Sequence, residues 1–175
     1  MADRRRHSAR PRVLRTAQAS RLIEPVPETA HIELRIWLRL LGISNQIKQR
    51  LASRLRIEFK TSMARFDLMA QLERAGSENL SMSALSDRVM VTNGAVTGLV
   101  DGLVRDGMVA RETHPRDRRT VLVRLTPIGR RRFLKMARSH EKWVVELLKG
   151  VSPALMNRLH GHLALIKGHV RKSGA

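Results

Sequence analysis

Apolar residues near the middle of the chain recur at the spacing of one helical face. In "VTNGAVTGLVDGLVRDG", residues 91–107, Val96, Leu99, Val100 and Leu103 share a side. Gly94, Gly98 and Gly102 repeat four apart on another face. Each glycine inside a helix costs about 1 kcal/mol relative to alanine, so the bare face needs a reason. Thr92 or Asn93 is a candidate N-cap, and Gly107 stands where a left-handed residue closes a helix. Just before it, Ser81 can cap a short helix that buries Leu85 and Val89, with Val91 and Thr92 as the turn between. Two short helices joined by a tight turn predict a helix-turn-helix.

The period then changes from helical to alternating. Val109, Arg111 and Thr113 alternate with Ala110, Glu112 and His114, and "TVLVRL" alternates again with Val121, Val123 and Leu125 on one face. Two such runs about "HPRDRR" predict a β-hairpin, hence a winged helix-turn-helix. Upstream, Phe66, Met69, Ala70 and Leu72 mark the inward side of a helix over 62–75 that stops at Gly76.

Long helices are predicted at both ends. From the Thr29 cap, after Pro25 and Pro27, a helix runs to about residue 57. It places Leu34, Trp37, Leu38 and Leu41 on one side and Ile36, Leu40, Ile43, Ile47, Leu51 and Leu55 on an adjacent one. So wide a stripe needs more than one partner surface. Thr126 and Pro127 start a second long helix carrying Phe133, Met136, His140, Val144 and Leu147. Ser152 and Pro153 start a third, to about 171, with Leu155, Leu159, Leu163 and Ile166 on its apolar side. The fold class expected is mainly α with a small β-hairpin wing. Residues 29–61 and 126–172 would form a helical dimerisation region around a winged helix-turn-helix at 62–125.

Charge changes the picture most. The 175 residues carry a formal net charge of +19, which calls for a polyanionic partner, most simply nucleic acid, and with the helix-turn-helix double-stranded DNA. Residues 1–28 read as a basic arm expected to be disordered; seven arginines up to residue 22 face the single acid Asp3. The arm either tracks phosphates or is a solvated extension. From Arg105 to Lys135 ten basic residues stand against three acids. No apolar run is long enough for a membrane helix, and no basic amphipathic helix with bulky aromatics suggests a membrane surface. A cytoplasmic location is expected.

The chemistry is otherwise sparse. Without cysteine there are no disulfides, thiol sensors or thiolate zinc sites. His160 and His162 lie two apart, on different sides of a helix, so no metal site is expected. No G-x-x-x-x-G-K loop, Ser-His-Asp set or carboxylate pair is suggested, and neither catalytic residues nor a cofactor are expected.

The order of elements and the stretch "SALSDRVMVTNGAVTGLVDGLVRDGMVARETHPRDRRTVLVRLTPIGRR" closely resemble the MarR family of bacterial transcriptional regulators. The family's Asp-x-Arg-x5-Leu-Thr signature stands here as Asp117, Arg119, Leu125 and Thr126. The resemblance covers about residues 30–171. It implies a homodimer that grips a pseudo-palindromic operator with its wings and recognition helices. It also implies a small-molecule effector cleft between the dimer helices and the DNA-binding lobe, and a repressor that ligand releases. By the family pattern, Asp117 and Arg119 pair to hold the wing.

In that frame the bare helix face enters the major groove, and its glycines let the backbone approach DNA; close helix packing is the competing role. Thr92, Asn93, Gly94, Ala95, Thr97 and Gly98 form the contact face, with Asn93 suited to adenine and Thr97 to a thymine methyl. Many relatives carry a longer, often basic, side chain at the position of Gly98, so direct readout here is expected to be modest. Arg116, Arg118 and Arg119 lie on the wing, Arg118 and Arg116 toward the minor groove, against the competing role of solvated loop charges. Ser81, Ser83 and Arg88 would meet phosphates at the entry. Arg130, Arg131 and Arg132 serve either phosphate contact or solubility.

For the effector, Trp37, Leu41, Ser44, Arg65, Phe66, Met69 and His140 lie on the helices that line the family's cleft, and ordinary packing competes with ligand contact at each. Trp and Met suit an aromatic acid or its acyl thioester, such as a coenzyme A ester, with Arg65 or His140 for a carboxylate. The alternative to a regulator is a basic architectural, nucleoid-type DNA-binding protein of low sequence specificity.

Overall fold

The computed structural model describes residues 31–76, 78–89 and 93–174, without the side chains of Asn93 and Arg118. The arginine-rich arm, Pro25, Pro27, the Thr29 cap, and Val91 and Thr92 of the turn therefore lie outside the described residues. Among the described residues six helices and three strands follow in order: α1 (Ile32–Phe59), α2 (Met63–Ala75), β1 (Leu80–Ser81), α3 (Met82–Val89), α4 (Asn93–Arg105), β2 (Val109–His114), β3 (Asp117–Leu125), α5 (Pro127–Leu147) and α6 (Pro153–Ser173). Among the described residues no helix is long and apolar enough to cross a membrane.

The described residues fall into two units that divide within α1, between Gln46 and Ile47. In the first, the front of α1 leaves Ile32, Leu34, Ile36, Trp37, Leu41 and Ile43 exposed. In the second, the rear of α1 buries Leu51, Leu55 and Phe59, spaced four apart along one stripe. Arg54 lies over the Trp143 ring, 5.8 Å from its centroid, and pairs with Glu146, which pulls that carboxyl below its ordinary range. α2 is the central helix. It packs on α3, α4, β3 and α5, so Leu68 is fully buried alongside Phe66, Met69 and Leu72. The helical pattern alone places Leu68 off the inward side; burial from several directions brings it into the core.

Local signals set the helix ends. The hydroxyls of Ser62, Thr126 and Ser152 accept the backbone N–H of Arg65, Gly129 and Leu155, capping α2, α5 and α6. Gly76 and Gly107 adopt φ of 63° and 68° at the ends of α2 and α4. At the second, Met108 N–H reaches the Leu103 carbonyl and Gly107 N–H the Val104 carbonyl, a Schellman closure.

The wing is the expected β-hairpin, β2 and β3, with the short strand β1 added along the other edge of β3. The sheet order is β1-β3-β2, all antiparallel, with Leu80 opposite Val123 and Val109 opposite Leu125. Register shifts at Thr113/His114, next to the tip. Val123 and Val109 close the sheet onto the core that holds Val96, Val100 and Leu103.

One contact joins α4, wing and α5. Thr126 donates its N–H to the Met108 carbonyl and its hydroxyl to that of Gly107. Gly129 is buried so close behind that an added Cβ would lie 1.8 Å from the Met108 oxygen. Along α6, by contrast, no residue is buried.

Candidate nucleic-acid interface

The surface that can meet a polyanion is built from α3, α4 and the wing. Ser81 sits in β1 and closes the start of α3: its hydroxyl accepts the Ala84 N–H and lies 3.0 Å from that of Ser83. That hydroxyl thus serves the helix cap first. Ser83 and Arg88 are exposed on the same short helix.

On α4 the apolar face is spent on the core: Val96 and Val100 are fully buried and Leu99 partly so. The opposite face carries Gly94, Ala95, Thr97 and Gly98, all exposed. A Cβ added at Gly94 or Gly98 would meet nothing within 4 Å, so neither glycine serves close packing among the described residues. Gly102 does not belong to this bare face. It is partly buried, and its carbonyl accepts a hydrogen bond from Arg65 of α2 at 3.3 Å. Eight residues separate Gly102 from Gly94, enough to carry it round toward the lobe. Asp101 forms an ion pair with Arg111 of β2 at 2.7 Å. Thr92 and the Asn93 side chain lie outside the described residues.

The wing tip is ordered by its own acid. Asp117 accepts the Thr120 hydroxyl at 2.6 Å and the Arg119 backbone N–H at 3.0 Å. Those bonds hold its carboxyl below the usual range. Asp117 and Arg119 are therefore linked through the main chain, and no ion pair between their side chains occurs among the described residues. An Asx-type turn needs only the backbone donor, which leaves the Arg119 guanidinium exposed. Arg116 is exposed as well, its N–H donating to His114 Nδ1. The side chain of Arg118 is not described. At the wing base, Arg124 and Glu112 are paired, and Asn79 adds a hydrogen bond to Glu112.

Of the three consecutive arginines on α5, two have internal work. Arg130 Nε reaches both oxygens of Glu73, at 3.0 and 3.1 Å, and Arg132 donates to the Phe59 carbonyl. Arg131 is exposed.

The residues considered for a small-molecule cleft separate by environment. Trp37, Leu41 and Ser44 are exposed on the front of α1. In the second unit Phe66 stacks on His140 at 4.9 Å and packs against Phe133 at 5.5 Å, while Met69 is buried. Burial pushes the His140 imidazole down, against the pull of nearby Asp67; burial pushes the Asp67 carboxyl up. Arg65 pairs with Asp106 beside a cleft shared with Lys60, Thr61, Arg132 and Met136. Its volume is about 30 Å³, room for a water or two.

The third strand and the contacts of Arg65, Asp101 and Arg130 left no periodic signature in the chain. Each joins residues far apart in sequence.

Comparison with known proteins adds the family. Residues 61–121 match the model described as the MarR family. The chain is 33% identical over 91 residues to the HTH-type transcriptional repressor YetL of Bacillus subtilis, covering 52% of this chain and 54% of that one. For the first two curated relatives, the matched stretch spans between about half and two thirds of their length. Among solved structures, a MarR family transcriptional regulator from Silicibacter pomeroyi is 34% identical, with a TM-score of 0.67 over 79% of this chain and 94% of that chain. Wild-type MarR from E. coli, in its apo form, is 26% identical, with a TM-score of 0.66 over 73% and 94%.

Proposed function

Since the chain belongs to the MarR family, we propose that it is a homodimeric regulator of transcription that binds a pseudo-palindromic operator as a repressor and leaves it when a small acid binds. One observation carries this reading: α4 buries Val96 and Val100 and turns outward a face bare at Gly94 and Gly98, beside a wing whose tip exposes Arg116 and Arg119. Bare positions let backbone amides approach phosphates and base edges, and arginine suits a narrow minor groove. Thr92, Asn93, Ala95, Thr97 and Arg118 complete the proposed contact set. Ser83 and Arg88 meet phosphates at the entry, and Ser81 supports them from the cap.

Two copies of α4 would sit about one DNA turn, roughly 34 Å, apart. The exposed leucines of α6 and, separately, the exposed front of α1 supply apolar surface for a second copy. The terminal helices are accordingly assigned to dimerisation and the middle of the chain to DNA. For the effector, an aromatic acid or its acyl thioester fits cations beside methionines. The small cleft at Arg65 would open to admit it, and His140, Phe66 and Met69 would follow.

The test is a mobility shift and footprint on a duplex enriched from a random pool by the full-length protein. A single protected site, lost steeply as salt rises and released by benzoate or its coenzyme A thioester, is the expected result. Uniform coating of any duplex would overturn the reading in favour of an architectural protein.

A further inference from the structure

The geometry points to Arg65 as a positioning residue that sets the pitch of α4 from α2. This inference rests on the reading of α4 as the DNA-contacting helix.

Arg65 is fixed at both ends. Its backbone N–H is held by the Ser62 cap at 3.2 Å, in the first turn of α2. Its side chain crosses to the other end of α4, where Nη2 donates to the Gly102 carbonyl at 3.3 Å and to the Asp106 carboxylate. The Gly102 carbonyl also accepts the Asp106 N–H at 3.2 Å. One guanidinium therefore holds the last hydrogen-bonded turn of the helix together with the acid that follows it. Arg65 Nε is buried and has no hydrogen-bond partner among the described residues. The Nη2 contacts offset that desolvation.

The placement has a physical logic. Carbonyls at a helix C-terminus carry partial negative charge, and a cation there is favourable. Arg65 supplies that cation from a neighbouring helix rather than from α4 itself. The charge-assisted bond to Asp106 holds that carboxyl below its ordinary range. α4 is thus pinned at its far end, while its first turn carries Gly94 and the proposed base contacts. A rotation of the helix about its buried valines would move the bare face across the groove. A small shift at that distance is enough to lose register with base edges.

The test uses full-length Arg65→Met, Arg65→Lys and Asp106→Asn. Each is measured on the duplex enriched by the unaltered protein and on a scrambled duplex of equal length and composition. Arg65→Met keeps the aliphatic stem and should lose about tenfold or more on the enriched duplex, but less than about threefold on the scrambled one. Arg65→Lys should restore scrambled-duplex affinity without restoring the ratio, because lysine's shorter stem and tetrahedral ammonium do not place one nitrogen between both acceptors as the planar guanidinium places Nη2. Asp106→Asn keeps the Gly102 bond and should fall between. Amide exchange at Asp106, Gly107 and Met108 should quicken in Arg65→Met while that of Val96 and Val100 stays slow.

Equal losses on both duplexes would overturn the proposal, since Arg65 would then act only as charge. So would a lowered melting temperature with the ratio preserved, or full rescue by lysine. If the unaltered protein enriches no duplex at all, the reading of α4 fails instead. The exchange rates then decide by themselves whether Arg65 fixes the end of the helix.

Discussion

α4 and α6 are both amphipathic, and the chain treats them oppositely. α4 spends its apolar side on the lobe: Val96, Val100 and Leu103 are all but inaccessible. α6 leaves Leu155, Leu159, Leu163 and Ile166 between 37% and 48% exposed, with none of its residues buried. A leucine gains about 2 kcal/mol on full burial, so a helix that forgoes this four times is incomplete alone. The same amphipathic pattern thus has two meanings. Beside a closed sheet it makes a core; on α6 it leaves an open apolar stripe, the surface assigned to a second copy in the proposed dimer.

The sharpest way to break that contrast is to charge α6. Leu159→Asp with Leu163→Asp should convert the protein to a monomer by sedimentation equilibrium and lower affinity for a two-half-site duplex about a thousandfold, the avidity of a linked pair. A variant that stays dimeric would mean that α6 is not the interface. Next in size comes the lobe's tightest joint. Gly129→Ala drives a methyl into the Met108 carbonyl, and urea titration should show a loss of about 3 kcal/mol. At Gly98, by contrast, the added methyl meets open space. Gly98→Ala should stabilise the fold by about 0.5–1 kcal/mol and still weaken operator binding. A rise in both would remove close approach as the role of the bare face.

The smallest effect belongs to His140, half-buried against Phe66. Burial lowers its folded pKa, so the folded state favours neutral imidazole. Its contribution is fully present above the unfolded value of about 6.5 and is lost as pH falls through the lowered folded one. Asp67, whose carboxyl is raised, acts with the opposite sign and at lower pH. Between pH 7.5 and 5.5, His140→Gln should therefore lose less melting stability than the unaltered protein. With solvent screening the difference is on the order of a few tenths of a kcal/mol.

What could be read from the chain beforehand follows the range of each interaction. Helix ends were legible because caps act over three residues: Ser81, Thr126 and Ser152 bond where their spacing implies. So was the inward face of α4, whose period survives folding. β1 was not, because two residues cannot alternate. Gly129 looked like any helical glycine, since its closeness to Met108 is a tertiary fact. Gly102 was grouped with the wrong face because spacing of four hides a steady drift around the helix. In the candidate site, the acid of the wing motif was legible but its bond was not: Asp117 takes the Arg119 main chain, which no side-chain pattern reports.

The register break at Thr113/His114 leaves Val109 facing Leu125 and Leu80 facing Val123. The strands are therefore zipped from the base, and the tip at Pro115 and Arg116 hangs beyond the last regular rung. Residues could be exchanged or inserted there without turning the sheet inside out. The tip is then an exchangeable cassette: its sequence can drift while the lobe that carries it stays the same.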